Sequence, residues 1–183
     1  MRLRTTDAPY IARKIGIDLV ASSLVVMSQG LDAVVLACQT IVEQDIAKET
    51  AVDLKVKELL NQNEEEIDFL NADAKQLFWM VKKKIASECG LILDREERFS
   101  NIAHLILDDI WNEDLMDYSV SETIIKNIIV KAMFEYIRKY DDIEKSVAEK
   151  VANYKRKLVP GSEEYEMVVS KLFEEELKKR GML

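Results

Sequence analysis

The residues able to do acid–base, nucleophilic or metal chemistry are few, and their spacing gives them little to work with. The chain has one histidine, His104, and two cysteines, Cys38 and Cys89. A catalytic imidazole needs a nucleophile or a carboxylate within hydrogen-bond reach. Asp108 stands one helical turn on from His104, a spacing that reads as a local surface pair. Three scattered His and Cys residues do not make a zinc site, and no Glu-x-x-His motif is present to build a di-metal centre inside a bundle. The densest acidic group, Glu64, Glu65, Glu66 and Asp68, lacks the alternating pattern that wraps calcium. It reads as a solvated helix end. Five glycines, four of them at expected helix ends or connectors, leave no phosphate-cradling loop. Asp108–Asp109 and Asp18 are the carboxylates left for acid–base work, and each can equally cap, pair or face water. Neither cofactor nor metal is expected, and catalysis is not.

Basic residues cluster as Lys82-Lys83-Lys84, Lys155-Arg156-Lys157 and Lys178-Lys179-Arg180. The last two fall at expected helix C-termini, where cations oppose the helix dipole. Lys82, Lys83 and Lys84 lie mid-helix, and successive side chains 100° apart splay around the axis. Net charge is −8, with both halves acidic: 11 basic against 14 acidic residues, then 15 against 20. That balance disfavours nucleic acid and anionic lipid as partners. Both cysteines read as small buried apolar groups. Arg2 and Arg4 are followed by Asp7 rather than by a signal-peptide core, and no apolar run reaches membrane-span length. A cytoplasmic protein is expected.

The elements that would position these groups come in duplicate. Ile11-Ala12-Arg13-Lys14-Ile15 returns 91 residues later as Ile102-Ala103-His104-Leu105-Ile106. At the same offset Asp18 meets Asp109, Leu24 meets Leu115 and Ile46 meets Ile137. Towards the ends one residue drops out, so that Lys82-Lys83-Lys84 faces Glu174-Glu175-Glu176. The spacing predicts an all-α protein of two tandem helical-bundle repeats, 1–92 and 93–183, with about four helices each. First helices start near Asp7 and at the Asp94–Glu97 capping box. Second helices cover 31–47 and 122–139, and third helices 51–67 and 142–158, the latter opened by Asp141 and Glu144. Final helices run over 73–89 and 163–180, with Gly90 and Gly181 as left-handed C-caps. Pro160-Gly161-Ser162 punctuates the second half. A tiny two-stranded element is allowed in each connector, 24–27 and 115–120.

Two long stretches carry a resemblance. Gln76-Leu77-Phe78-Trp79-Met80-Val81-Lys82-Lys83-Lys84-Ile85-Ala86, with a Gly four residues on, is one. The run Asn153 to Glu166, with its Pro160-Gly161, is the other, and the ending Glu174 to Met182 fits too. Together they resemble the bacterial family called domain of unknown function 507, in a tandem two-copy form. The resemblance implies a bacterial, cytosolic, helical protein and brings no activity, cofactor or functional residue with it.

The favoured reading is a non-catalytic helical module that binds another protein or itself. Its candidate surface comprises Trp79, Lys82, Lys83, Lys84, Trp111, Glu174, Glu175 and Glu176. Trp anchors interfaces, and the inverted charges would let the two final helices meet, lysines against glutamates, although the favoured reading is that each run is merely solvated. A nucleic-acid-binding helical protein and an enzyme with an unrecognised carboxylate site are the alternatives.

Overall fold

The computed structural model describes residues 3–63, 73–154 and 159–181. Six α-helices, a single 3-10 turn at Thr5–Asp7 and one small sheet are found among these residues. In chain order the α-helices and strands are α1 (Ala8–Ala21), β1 (Val25–Met27), α2 (Leu31–Gln62), α3 (Ala74–Glu88), α4 (Arg95–Asn112), β2 (Met116–Tyr118), α5 (Glu122–Ala152) and α6 (Glu163–Lys179). The acidic group 64–68 and the basic cluster 155–157 lie outside the described residues.

Packing divides the chain into two compact units, Leu3–Val130 and the part from Lys131 onward, so the division falls inside α5. In the first unit α1, α3 and α4 all pack on α2. Ile11, Ile15 and Leu19 form the fully buried stripe of α1, and Phe99, Ile102, Ile106 and Ile110 that of α4. Where α1 crosses α2, Gly16 leaves room for the other helix. A Cβ there would sit 2.7 Å from Val35 Cγ2 and 2.8 Å from Leu31 Cδ1, so the helix-weakening glycine is what lets the two approach. Val52, Val56, Ile85, Ala86 and Leu91 form a second cluster that seats α3 on the far end of α2, with Phe78 and Val81 packed against it.

Two expected helix breaks are absent. Residues 31–47 and 51–62 lie in the single helix α2, and 122–139 and 142–152 in α5. Each half therefore has three described helices rather than four. The physical reason is plain in the sequence. Residues 46–52 and 138–144 hold no Gly or Pro, and the inward stripe continues without a phase change through Ile46, Val52 and Val56, and through Ile137, Tyr140, Ile143 and Val147. Asp141 and Glu144 have the spacing of a capping box but sit in the middle of α5. Elsewhere the caps behave as expected. Asp94 accepts a hydrogen bond from the Glu97 N–H and Ser162 from the Tyr165 N–H, and Gly90 has φ +65° at the end of α3.

The connectors supply one strand each, and the two pair with one another, antiparallel. The register sets Val25 opposite Tyr118, Val26 opposite Asp117 and Met27 opposite Met116. Val26 and Asp117 are 91 residues apart. The non-glycine residues with left-handed backbone, Ser23 and Asp114, are also 91 apart. Inward positions recur at that spacing: Val34, Cys38, Val42 and Ile46 are buried, and so are Ile125, Ile129, Met133 and Ile137. The spacing holds to the final helices. Leu77, Phe78, Val81, Lys82 and Ile85 turn inward on α3, and Val168, Val169, Leu172, Phe173 and Glu176 do so on α6. No residue drops out between them.

Candidate interaction site

Inside the first unit, five charged side chains meet. Asp45, Glu49 and Asp53 recur at i, i+4 and i+8 along α2 and so share one of its faces. Lys82 reaches them from α3 and Arg98 from the first turns of α4. The Lys82 ammonium donates to Glu49 Oε1 at 3.0 Å and lies 2.8 Å from Asp53 Oδ1. The Arg98 guanidinium donates through Nε to Asp45 Oδ2 and through one terminal nitrogen to Glu49 Oε2, both at 2.7 Å. Glu49 is the hub, one oxygen to each cation. Burial alone would push its carboxyl up, but the hydrogen bonds from Arg98 and Lys82 more than offset this and hold it below the usual range. Burial likewise works against the Arg98 charge, and Asp45 and Glu49 outweigh it.

Lys82 and Arg98 between them lie within ion-pair distance of all three carboxylates of this cluster. Among the described residues no group of three or more His, Cys, Asp or Glu could hold a metal ion. Sequence reasoning missed the network, although the signal was present. Lys82 stands four residues after Phe78 and three before Ile85, inside the apolar stripe of its helix. A lysine there demands a buried anion.

The second unit uses the corresponding positions differently. Residues 91 beyond Glu49 and Lys82 are Tyr140 and Phe173, whose rings contact at 5.0 Å between centroids. A buried carboxylate of that unit, Glu176, lies one turn along α6 from Phe173 and accepts a hydrogen bond from Lys150 of α5. That hydrogen bond holds the Glu176 carboxyl below its ordinary range. Glu174 pairs with Lys178 on the exposed face of α6.

The candidate surface residues thus separate into two groups. Lys82 and Glu176 are 4% and 6% exposed and spend their charge within their own units, on Glu49 with Asp53 and on Lys150. Lys83, Lys84, Glu174 and Glu175 are exposed. In each run of three, one residue is buried within its own unit and two are exposed. Trp79 is 48% exposed and its neighbour Met80 68%. The Trp79 ring is held from behind. Lys82 Nζ lies 5.4 Å from its centroid, and the Phe78 ring meets it edge-on at 6.2 Å. Gln76, Trp79, Met80, Lys83, Lys84 and Ser87 together form the outward stripe of α3, opposite the one that packs on α2.

A second aromatic patch lies where α4 meets the sheet. Trp111 is exposed and its ring contacts Tyr118 at 5.7 Å. Burial raises the Tyr118 phenol, and the nearby Glu122 and Asp108 carboxylates raise it further. His104 is exposed, as its equivalence to Arg13 suggested. Its Nε2 lies 3.5 Å from Asp108 and its Nδ1 3.5 Å from Glu122. Of the cysteines, Cys38 is buried, and burial pushes its thiol up to about 12. Cys89 is exposed, contrary to expectation, because it caps α3 just before the Gly90 turn.

No described helix is long and apolar enough to cross a membrane. No curated protein matches the chain. One family model does, over residues 1–182, and its description is a protein of unknown function, DUF507.

Proposed function

Because the chain belongs to the DUF507 family, whose description carries no activity, we propose from its own surface that it is a non-catalytic helical module that binds protein. The observation that carries this reading is the outward stripe of α3. It presents a half-exposed Trp braced by Lys82 and Phe78, beside an exposed Met and two exposed lysines. A braced aromatic loses little freedom on binding, and Trp is the residue most enriched at interface hot spots. Inside the first unit each carboxylate of the buried cluster has a cation beside it, three carboxylates sharing two cations, which supports a structural role for that cluster.

We read the chain as two copies of one unit, 1–92 and 93–183. The 91-residue spacing of Ser23 and Asp114, of Gly90 and Gly181, and of the paired Val26 and Asp117 supports this. Such duplication doubles a binding surface or lets one copy diverge. The resemblance to a bacterial cytosolic family supports a cytoplasmic setting.

The test is affinity capture at modest salt with nuclease present, comparing the wild type with Trp79→Ala and Trp111→Ala. Near-stoichiometric capture that Trp79→Ala loses, while the variant keeps its helical circular dichroism, is expected. Capture that nuclease abolishes would replace this reading with a nucleic-acid one.

A further inference from the structure

We propose that one partner of the α3 stripe is a second copy of this chain, which docks the outward face of α6 against it. The inference rests on α3 being an interaction surface, and it names the occupant. Within an acidic chain, α3 is the most basic of the described helices: Ala74–Glu88 carries four lysines against one glutamate. In α6, Glu163–Lys179 carries six glutamates against three lysines. The inversion is sharpest where it is exposed. Lys83 and Lys84 correspond, 91 residues on, to Glu174 and Glu175, and all four face solvent. Their inward neighbours do not share it: Lys82 corresponds to Phe173 and Ile85 to Glu176, and both charges there are consumed internally.

Each outward face also offers an apolar contact beside its charges. On α3 it is Trp79 with Met80, and on α6 it is Met167, 73% exposed. Opposite potentials on two helical faces steer association and fix register. The one local ion pair that must give way, Lys178 with Glu174, is an exposed i,i+4 contact and is worth little. The contact is heterologous, α3 of one molecule on α6 of the next, so it can propagate beyond a dimer. A single helix face buries less than the roughly 800 Å² per partner of stable complexes. The association is therefore weak, concentration-dependent and sensitive to salt.

Sedimentation of the full chain tests this at about 50 mM and about 500 mM salt. The wild type should self-associate at low salt and dissociate at high salt. Lys83→Glu/Lys84→Glu and Glu174→Lys/Glu175→Lys should each raise the dissociation constant about tenfold or more, with circular dichroism unchanged. A 1:1 mixture of the two variants should recover association, as should the chain bearing all four substitutions. A wild type that stays monomeric at every concentration and salt overturns the proposal. So does recovery only in the fourfold variant and not in the mixture, since that places the pairing within one molecule. If self-association is absent yet Trp79→Ala still loses a captured protein, the surface serves a different partner and only this inference fails. If neither experiment responds, the reading of α3 as an interaction surface fails with it.

Discussion

Glu49 illustrates how one residue can set the character of a helix pair. It occupies an inward position of α2 where an apolar group would serve packing, and it draws one cation from each of two other helices. Buried ion pairs of this kind add little net stability but cost several kcal/mol when one partner is removed. Lys82→Met should therefore destabilise the protein by about 3 kcal/mol or more at neutral pH, since Asp53 and Glu49 would lose a cation while staying buried. The pH dependence follows from the sign of the shift. The Glu49 carboxyl is depressed in the folded state, so its contribution is fully present above the unfolded value and is lost as pH falls through the folded one. The penalty of Lys82→Met should shrink below about pH 4.5, because a protonated carboxyl no longer needs the cation. Urea unfolding of both proteins at neutral and acid pH reads this directly. A penalty that stays constant with pH would show that Lys82 acts through packing of its stem alone.

At the scale of elements, the sequence showed its apolar stripes more truly than its breaks. The inward faces of α1 and α4 were legible residue by residue, because Ala8, Ile11, Ala12, Ile15 and Leu19 keep helical spacing and are all buried. The caps at Asp94 and Ser162 were legible for the same local reason. Of the extra breaks near 48–50 and 141, the second rested on a capping-box spacing, a local signal that tertiary packing overrides when the stripe runs on in phase. The strand pairing was not legible, since three-residue strands gain their register from each other rather than from local pattern. Nor was the Asp45–Glu49–Lys82–Arg98 cluster, whose members are far apart in sequence and meet only once three helices are packed. The continuity of α2 has a direct consequence. Lys48 is exposed, so Lys48→Pro removes no packed side chain, yet it should cost about 3 kcal/mol or more by breaking the hydrogen-bond ladder inside a helix. Thermal unfolding followed at 222 nm checks it. A substitution tolerated without loss would mean that the chain is already hinged there.

For the whole molecule, the most consequential geometry is the register of β1 on β2. An antiparallel pair has a local two-fold axis, and here it passes between Val26 and Asp117, which are equivalent positions 91 residues apart. Every pairing in the sheet is thus one that β1 could make with another β1. Val25 takes the equivalent of Met27, and Met27 takes the equivalent of Val25. If the chain is two copies of one unit, residues 1–92 expressed alone have a strand with no β2 to meet, and a second copy of the fragment supplies a self-complementary edge. The fragment should then behave as a homodimer, helical by circular dichroism, with the Val26 pair at its centre. Val26→Pro should drive it toward monomer or toward unfolding, because it leaves the ladder without that N–H and proline resists the interior of a strand pair. The same substitution in the full chain should cost less, since α1, α2 and α4 pack together whether or not the strands pair. A fragment that sediments as a folded monomer at all concentrations would sink the prediction. It would also remove the reason to treat the sheet as the seam at which two copies of one fold were joined.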